Sequence, residues 1–113
     1  ARKGKLRGSA VRGPTPHVSF IDLAGSTSRE VSMDEVNDAI RQTAAGAMSG
    51  VLAFTTEPLV SVDLNHRTES SIVALPQTDV VDGRMVRVLA WYDNEWSFAT
   101  RMADTAVAMA KLI

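Results

Sequence analysis

The stretch LAWYDNEWSFATRMADTAVAMA, residues 89–110, gathers both tryptophans and the only tyrosine of the chain around Asp93, Asn94 and Glu95. Asn94 has the most versatile side chain of the group, since a carboxamide both donates and accepts and can pair with another amide. It can face a ligand. It can equally cap the helix expected after it, where Asn is a favoured residue whose oxygen takes a backbone N–H. Local chemistry alone favours the cap. Arg12 is the second candidate. It stands at the end of an expected strand over residues 6–12, before the Gly13-Pro14-Thr15-Pro16 bend. A guanidinium at such a rim can hold phosphate through two parallel donors, or it can make an ordinary surface ion pair; again the ordinary role leads. His17 and His66 carry the ring best suited to general-base work near neutral pH, but they lie far apart in sequence, where lone loop histidines are usually solvated.

Other chemistry is missing from the sequence. There is no cysteine, hence no disulfide, thiolate metal site or cysteine nucleophile within this chain. No G-x-G-x-x-G or G-x-x-x-x-G-K-[ST] stretch offers a phosphate cradle, and no paired His or H-E-x-x-H spacing points to a metal. With 113 residues, 45% hydrophobic and 22% charged, the composition is that of one soluble globular domain with a modest core. A net charge of −1 gives no overall attraction for nucleic acid or an anionic membrane. Arg2, Lys3, Lys5, Arg7 and Arg12 form a basic lead-in without interleaved aromatics, the pattern of a solvated segment rather than a nucleic-acid platform. No apolar run reaches the length of a membrane span, and no signal-peptide core follows the basic start.

The elements that must position Arg12 and Asn94 follow from the hydrophobic periods. Val18–Leu23 reads as a buried strand, with Asp22 needing a partner if buried. Ser32 and Glu35 form a capping box before a helix with Val36, Ala39, Ile40, Thr43, Ala44 and Ala47 on one face, ended by Gly50. Val51–Thr55 is a short strand. Residues 60–71 read as a loop around another short strand, and Ile72–Ala74 as a further one. Asp82-Gly83 between two β-rich runs marks a tight hairpin turn. After Asn94 the period changes, and Ala99, Met102, Ala103, Ala106, Ala110 and Ile113 line one helical face. Four or five strands and two helices predict an α+β fold, a mixed and largely antiparallel sheet with helices packed on one face.

Taken in order, GKLRGSAVRGPTPHVSFIDL, DEVNDAIRQTAAGAMSGVLAFTTEPLVSVDLNH, SSIV and VDGRMVRVLAWYDNEWSFATRMADT resemble the C-terminal part of the phosphorylating glyceraldehyde-3-phosphate dehydrogenase family. The closely related erythrose-4-phosphate dehydrogenases share these signatures. The resemblance implies an NAD-dependent oxidoreductase acting on a sugar-phosphate aldehyde with inorganic phosphate, usually a cytoplasmic homo-tetramer. It implies that Arg12 binds phosphate and that Asn94 hydrogen-bonds the nicotinamide carboxamide, with Glu95 supporting that geometry. It also implies that the nucleophilic cysteine, the histidine base, a second phosphate-binding arginine and the Rossmann domain belong upstream of this stretch. Residues 1–113 are then expected to be a single partial domain with no catalytic residue of its own, no metal and no turnover. His17 stands where the family commonly has Asn, Gly13 where it has Val, Ser97 where it has Gly and Phe98 where it has Tyr, the last losing a hydroxyl near the cofactor side. His17 falls outside the motif of the family's base.

Overall fold

The computed structural model describes Lys5 and residues 7–113. The element order is β1 (Ser19–Ser26), α1 (Met33–Ala45), β2 (Leu52–Thr55), β3 (Ser71–Ala74), β4 (Asp79–Val81), β5 (Met85–Tyr92) and α2 (Trp96–Ala110), with 3₁₀ turns at Ser61–Leu64 and Leu75–Gln77. One five-stranded sheet has the order β1-β5-β3-β2, and β4 shares an edge of β5 with β3. Only β2 and β3 run parallel; the β1–β5, β3–β5 and β4–β5 pairs are antiparallel. The expected α+β class and mixed, largely antiparallel sheet are therefore present.

Strand alternation divides the sheet into two faces. The register of Phe20 and Ile72 with Trp91 and of Ala53 with Ile72 places these four side chains on one face. The small core forms there. Val18, Leu64 and Ile72 are buried, with Ala53, Leu59 and Trp91 packed against them under the 58–67 connection. Leu52, Val86 and Val88 belong to the other face. They line a cavity of about 420 Å³ with Val36 and Ile40 of α1, so the apolar stripe of that helix is turned to the sheet.

Local chemistry explains most elements. Ser32 Oγ accepts from Glu35 N–H at 3.1 Å and Glu35 Oε2 accepts from Ser32 N–H at 2.8 Å, the capping box read from the sequence. Asp82 and Gly83 take φ of 50° and 65°, and Arg84 N–H closes the turn onto Val81 O at 3.2 Å. Two positive φ values suit the right-handed twist of a hairpin.

Five expectations are corrected. Residues 7–12 form no strand, and Leu6 lies outside the described residues; Arg12 therefore follows irregular chain. β1 is a strand, but its side chains are not buried: Phe20, Ile21 and Leu23 are 56%, 53% and 49% exposed, because β1 is the outermost strand of the sheet. Asp22 consequently meets its partner at the surface, where Arg87 donates to both carboxylate oxygens at 2.8 Å and holds the carboxyl below its ordinary value. Residues 61–64 make a 3₁₀ turn rather than a strand, as Asp63 Oδ2 takes the Val60 N–H at 2.9 Å. Helix α1 ends at Ala45 with Gly46 as its C-cap, ahead of Gly50. The expected apolar stripe of α2 is in solvent, with Met102 60% exposed; the helix turns Ser97, Thr100 and Arg101 inward, and Arg101 Nη1 donates to Gly50 O at 3.1 Å.

Candidate functional site

The site is built where β5 gives way to α2. Ser97 N–H bonds Asp93 O at 3.1 Å, an i→i−4 step, so the helical hydrogen bonding starts at Asp93. Asp93 Oδ1 accepts from Glu95 N–H at 3.1 Å and from Trp96 N–H at 2.9 Å. Asp93 is thus the physical N-cap, and Asn94 is the first residue after it. The capping role open to Asn94 in the sequence is filled by its neighbour. Asn94 is exposed, and its carboxamide enters no side-chain hydrogen bond among the described residues.

Asp93 is only 3% exposed, and its second oxygen, Oδ2, accepts from His66 N–H at 2.9 Å. Burial pushes its carboxyl up, but the N–H groups of Trp96, His66 and Glu95, with the charge of His17, outweigh that and hold it below the ordinary value. Ser97 Oγ donates to Asp93 O at 2.6 Å and fixes the turn from its inner side.

Segments distant in sequence converge here. The His66 ring lies on the Trp96 indole with centroids 4.6 Å apart, and His17 Nδ1 is 3.8 Å from Glu95 Oε2. His66 has φ of 62° and Val18 has φ of 65°. A β-branched residue in that region is strained by roughly 1–3 kcal/mol. Val18 is held there by burial against Leu64 and Ile72. The stretches R-G-P-T-P-H-V-S, E-P-L-V-S-V-D-L-N-H and W-Y-D-N-E-W therefore meet at one corner, through His17 and Val18, through Leu64 and His66, and through Asp93 and Trp96. Sequence reasoning singled out Asn94 and passed over Asp93 and its bond to His66. The signal for Asp93 was present, since Asp is as good a cap as Asn; the signal for His66 was not.

Arg12 is exposed in irregular chain, without a hydrogen bond or ion pair among the described residues. Among the described residues no hydrogen bond or ion pair joins it to Asn94. It lies five residues before His17, within a chain reach of at most about 18 Å from it. The cavity of about 420 Å³ between α1 and the sheet and another of about 320 Å³ beside Pro58, Pro76 and Trp91 are lined by neither Arg12 nor Asn94. Among the described residues no cluster of three His, Asp or Glu side chains is placed to hold a metal, and no helix is long and apolar enough to cross a membrane.

The fold is an α+β half-sheet that ends in a capped amide corner, and comparison with known proteins gives the family. Residues 1–94 match the model of the glyceraldehyde 3-phosphate dehydrogenase, C-terminal domain, and the chain belongs to that family. It is 55% identical over 98% of its length to a glyceraldehyde-3-phosphate dehydrogenase of Cereibacter sphaeroides, covering 33% of that protein. It is 53% identical over 96% of its length to one of Xanthobacter flavus and 47% identical over 96% to one of Geobacillus stearothermophilus, covering 32% of each. The chain thus spans about a third of the length of the relatives it matches.

Proposed function

We propose that the chain supplies the nicotinamide-side contact, Asn94, and a phosphate contact, Arg12, to an NAD-dependent, phosphorylating oxidation of a sugar-phosphate aldehyde. The observation that carries the reading is the free carboxamide of Asn94 beside a buried Asp93 that does the capping. A carboxamide left with its donor and acceptor both open matches the carboxamide of nicotinamide. NAD, when bound, supplies the hydride acceptor. Asn94 orients the ring, and Arg12 neutralises and holds a phosphate. Neither side chain can attack an aldehyde or take its proton, so the chain alone performs no turnover. The reading places the protein in the cytoplasm, within a homo-oligomer.

Two measurements test it. Titration of the ¹⁵N-labelled chain with nicotinamide mononucleotide should move the Asn94 side-chain amide signals and the backbone amides beside them, and in an Asn94→Asp variant those backbone amides should stay still; a wild-type Asn94 that never responds sinks the assignment. Incubation with aldehyde phosphate, NAD and phosphate should yield no reduced cofactor above background, and measurable turnover would mean that a nucleophile has been overlooked.

A second reading, a non-catalytic assembly module of the same fold, is favoured by the exposed apolar side chains of β1 and α2. The chain exposes 8568 Å², whereas a compact monomer of its mass exposes about 6,000 Å². Sedimentation at dilute concentration separates the two, because a strictly monomeric chain rules the module out.

A further inference from the structure

We propose that Asp93 is the positioning residue of this corner, keeping Asn94 available to a nicotinamide by taking the helix cap with one oxygen and anchoring the His66 strap with the other. The inference rests on the reading of Asn94 given above. The first residue of a helix has one strong local attractor for a short polar side chain, the unpaired N–H groups of the first turn. Here Glu95 and Trp96 N–H are already occupied by Asp93 Oδ1 at 3.1 and 2.9 Å. Asn94 is left with no reason to fold back.

The second oxygen does a different task. It reaches His66 N–H at 2.9 Å, across 27 residues of sequence. His66 holds φ of 62° and lays its ring on Trp96, two residues beyond Asn94. The strap and the helix start are therefore tied to a single carboxylate on either side of Asn94. A carboxylate can do this because both oxygens accept; an amide offers one acceptor and one donor group. At 3% exposure no bulk water stands ready to replace a lost bond.

Asp93→Asn isolates the effect. Its oxygen can keep capping α2, but its NH₂ then confronts the His66 N–H, donor against donor. In the ¹⁵N-labelled full chain titrated with nicotinamide mononucleotide, Asp93→Asn should leave the Leu89–Trp91 sheet signals in place and speed exchange of the His66 amide. It should also weaken the dissociation constant read at Asn94 by about tenfold. An unchanged constant despite a freed His66 amide overturns the proposal. Should the substitution disturb the sheet, Asp93→Ser, which can still cap through its hydroxyl but cannot reach His66, takes the same measurements; loss of fold by both makes Asp93 a structural residue and also overturns it. Should the wild-type Asn94 ignore the probe, the nicotinamide reading fails by itself. The positioning role is then decided by the Asn94 backbone order parameter, which must fall in Asp93→Asn and overturns the role if it does not.

Discussion

Asp93 and Asn94 are adjacent and similar in size, yet truncating them has unequal expected consequences. Asn94 makes no side-chain hydrogen bond among the described residues, so Asn94→Ala should shift stability by less than about 0.5 kcal/mol. Asp93→Ala strips three N–H groups of their acceptor and should cost about 2 kcal/mol in urea denaturation at pH 7. The pH dependence carries a sign. The folded carboxyl titrates below its ordinary value of 3.8, so its contribution is complete above that value. It is lost as pH falls through the lower folded value. The gap between wild type and Asp93→Ala should therefore be constant from pH 7 to about pH 5 and narrow below pH 4. A gap that widens in acid would mean that the carboxylate is not what stabilises the corner. Asn94 draws attention in the sequence through its ring-rich surroundings, which by themselves favour a cap. The division of labour with Asp93 is not legible there, since two adjacent capping types look interchangeable until the helix start is fixed by Ser97 N–H on Asp93 O.

Turns and caps at the scale of elements were the most legible part of the fold, because their causes are local. Ser32 with Glu35 and Asp82 with Gly83 act through bonds spanning three residues or fewer. Burial of β1 and of the α2 stripe was misread because an apolar strand or helix does not state which neighbour will cover it. The 3₁₀ turn at Ser61–Leu64 was misread because Asp63 bonding back to Val60 is a local alternative that β-rich spelling conceals. Two glycines give the turn a direct test. Gly83 holds φ of 65°, and an added Cβ would lie 3.3 Å from the flexible Glu30 side chain. Gly83→Ala should cost about 1–2 kcal/mol, chiefly from the backbone. Gly25 in β1 has open space and no positive φ, so Gly25→Ala should be neutral or stabilising by about 0.5 kcal/mol. Equal effects of the two in thermal melts would contradict the turn assignment.

Taken whole, the molecule is open. Its radius of gyration is 15.7 Å, against about 13 Å for a compact chain of this length. Only Val18, Leu64, Ile72, Val73, Ala74 and Leu75 are buried apolar residues among those described, a core too small to tolerate much loss. What holds the two ends together is the ladder of β1 on β5, which pairs Ser19 with Tyr92 and continues to Ser26 with Met85. Between these strands the backbone passes through an exposed turn at residues 46–50, beyond the C-cap of α1. A protease that cuts there severs the polypeptide without breaking one rung of that ladder. Peptides 1–47 and 48–113, made separately and mixed, should accordingly recombine one to one and regain the amide spectrum of the uncut molecule, each acting as the missing partner of the other.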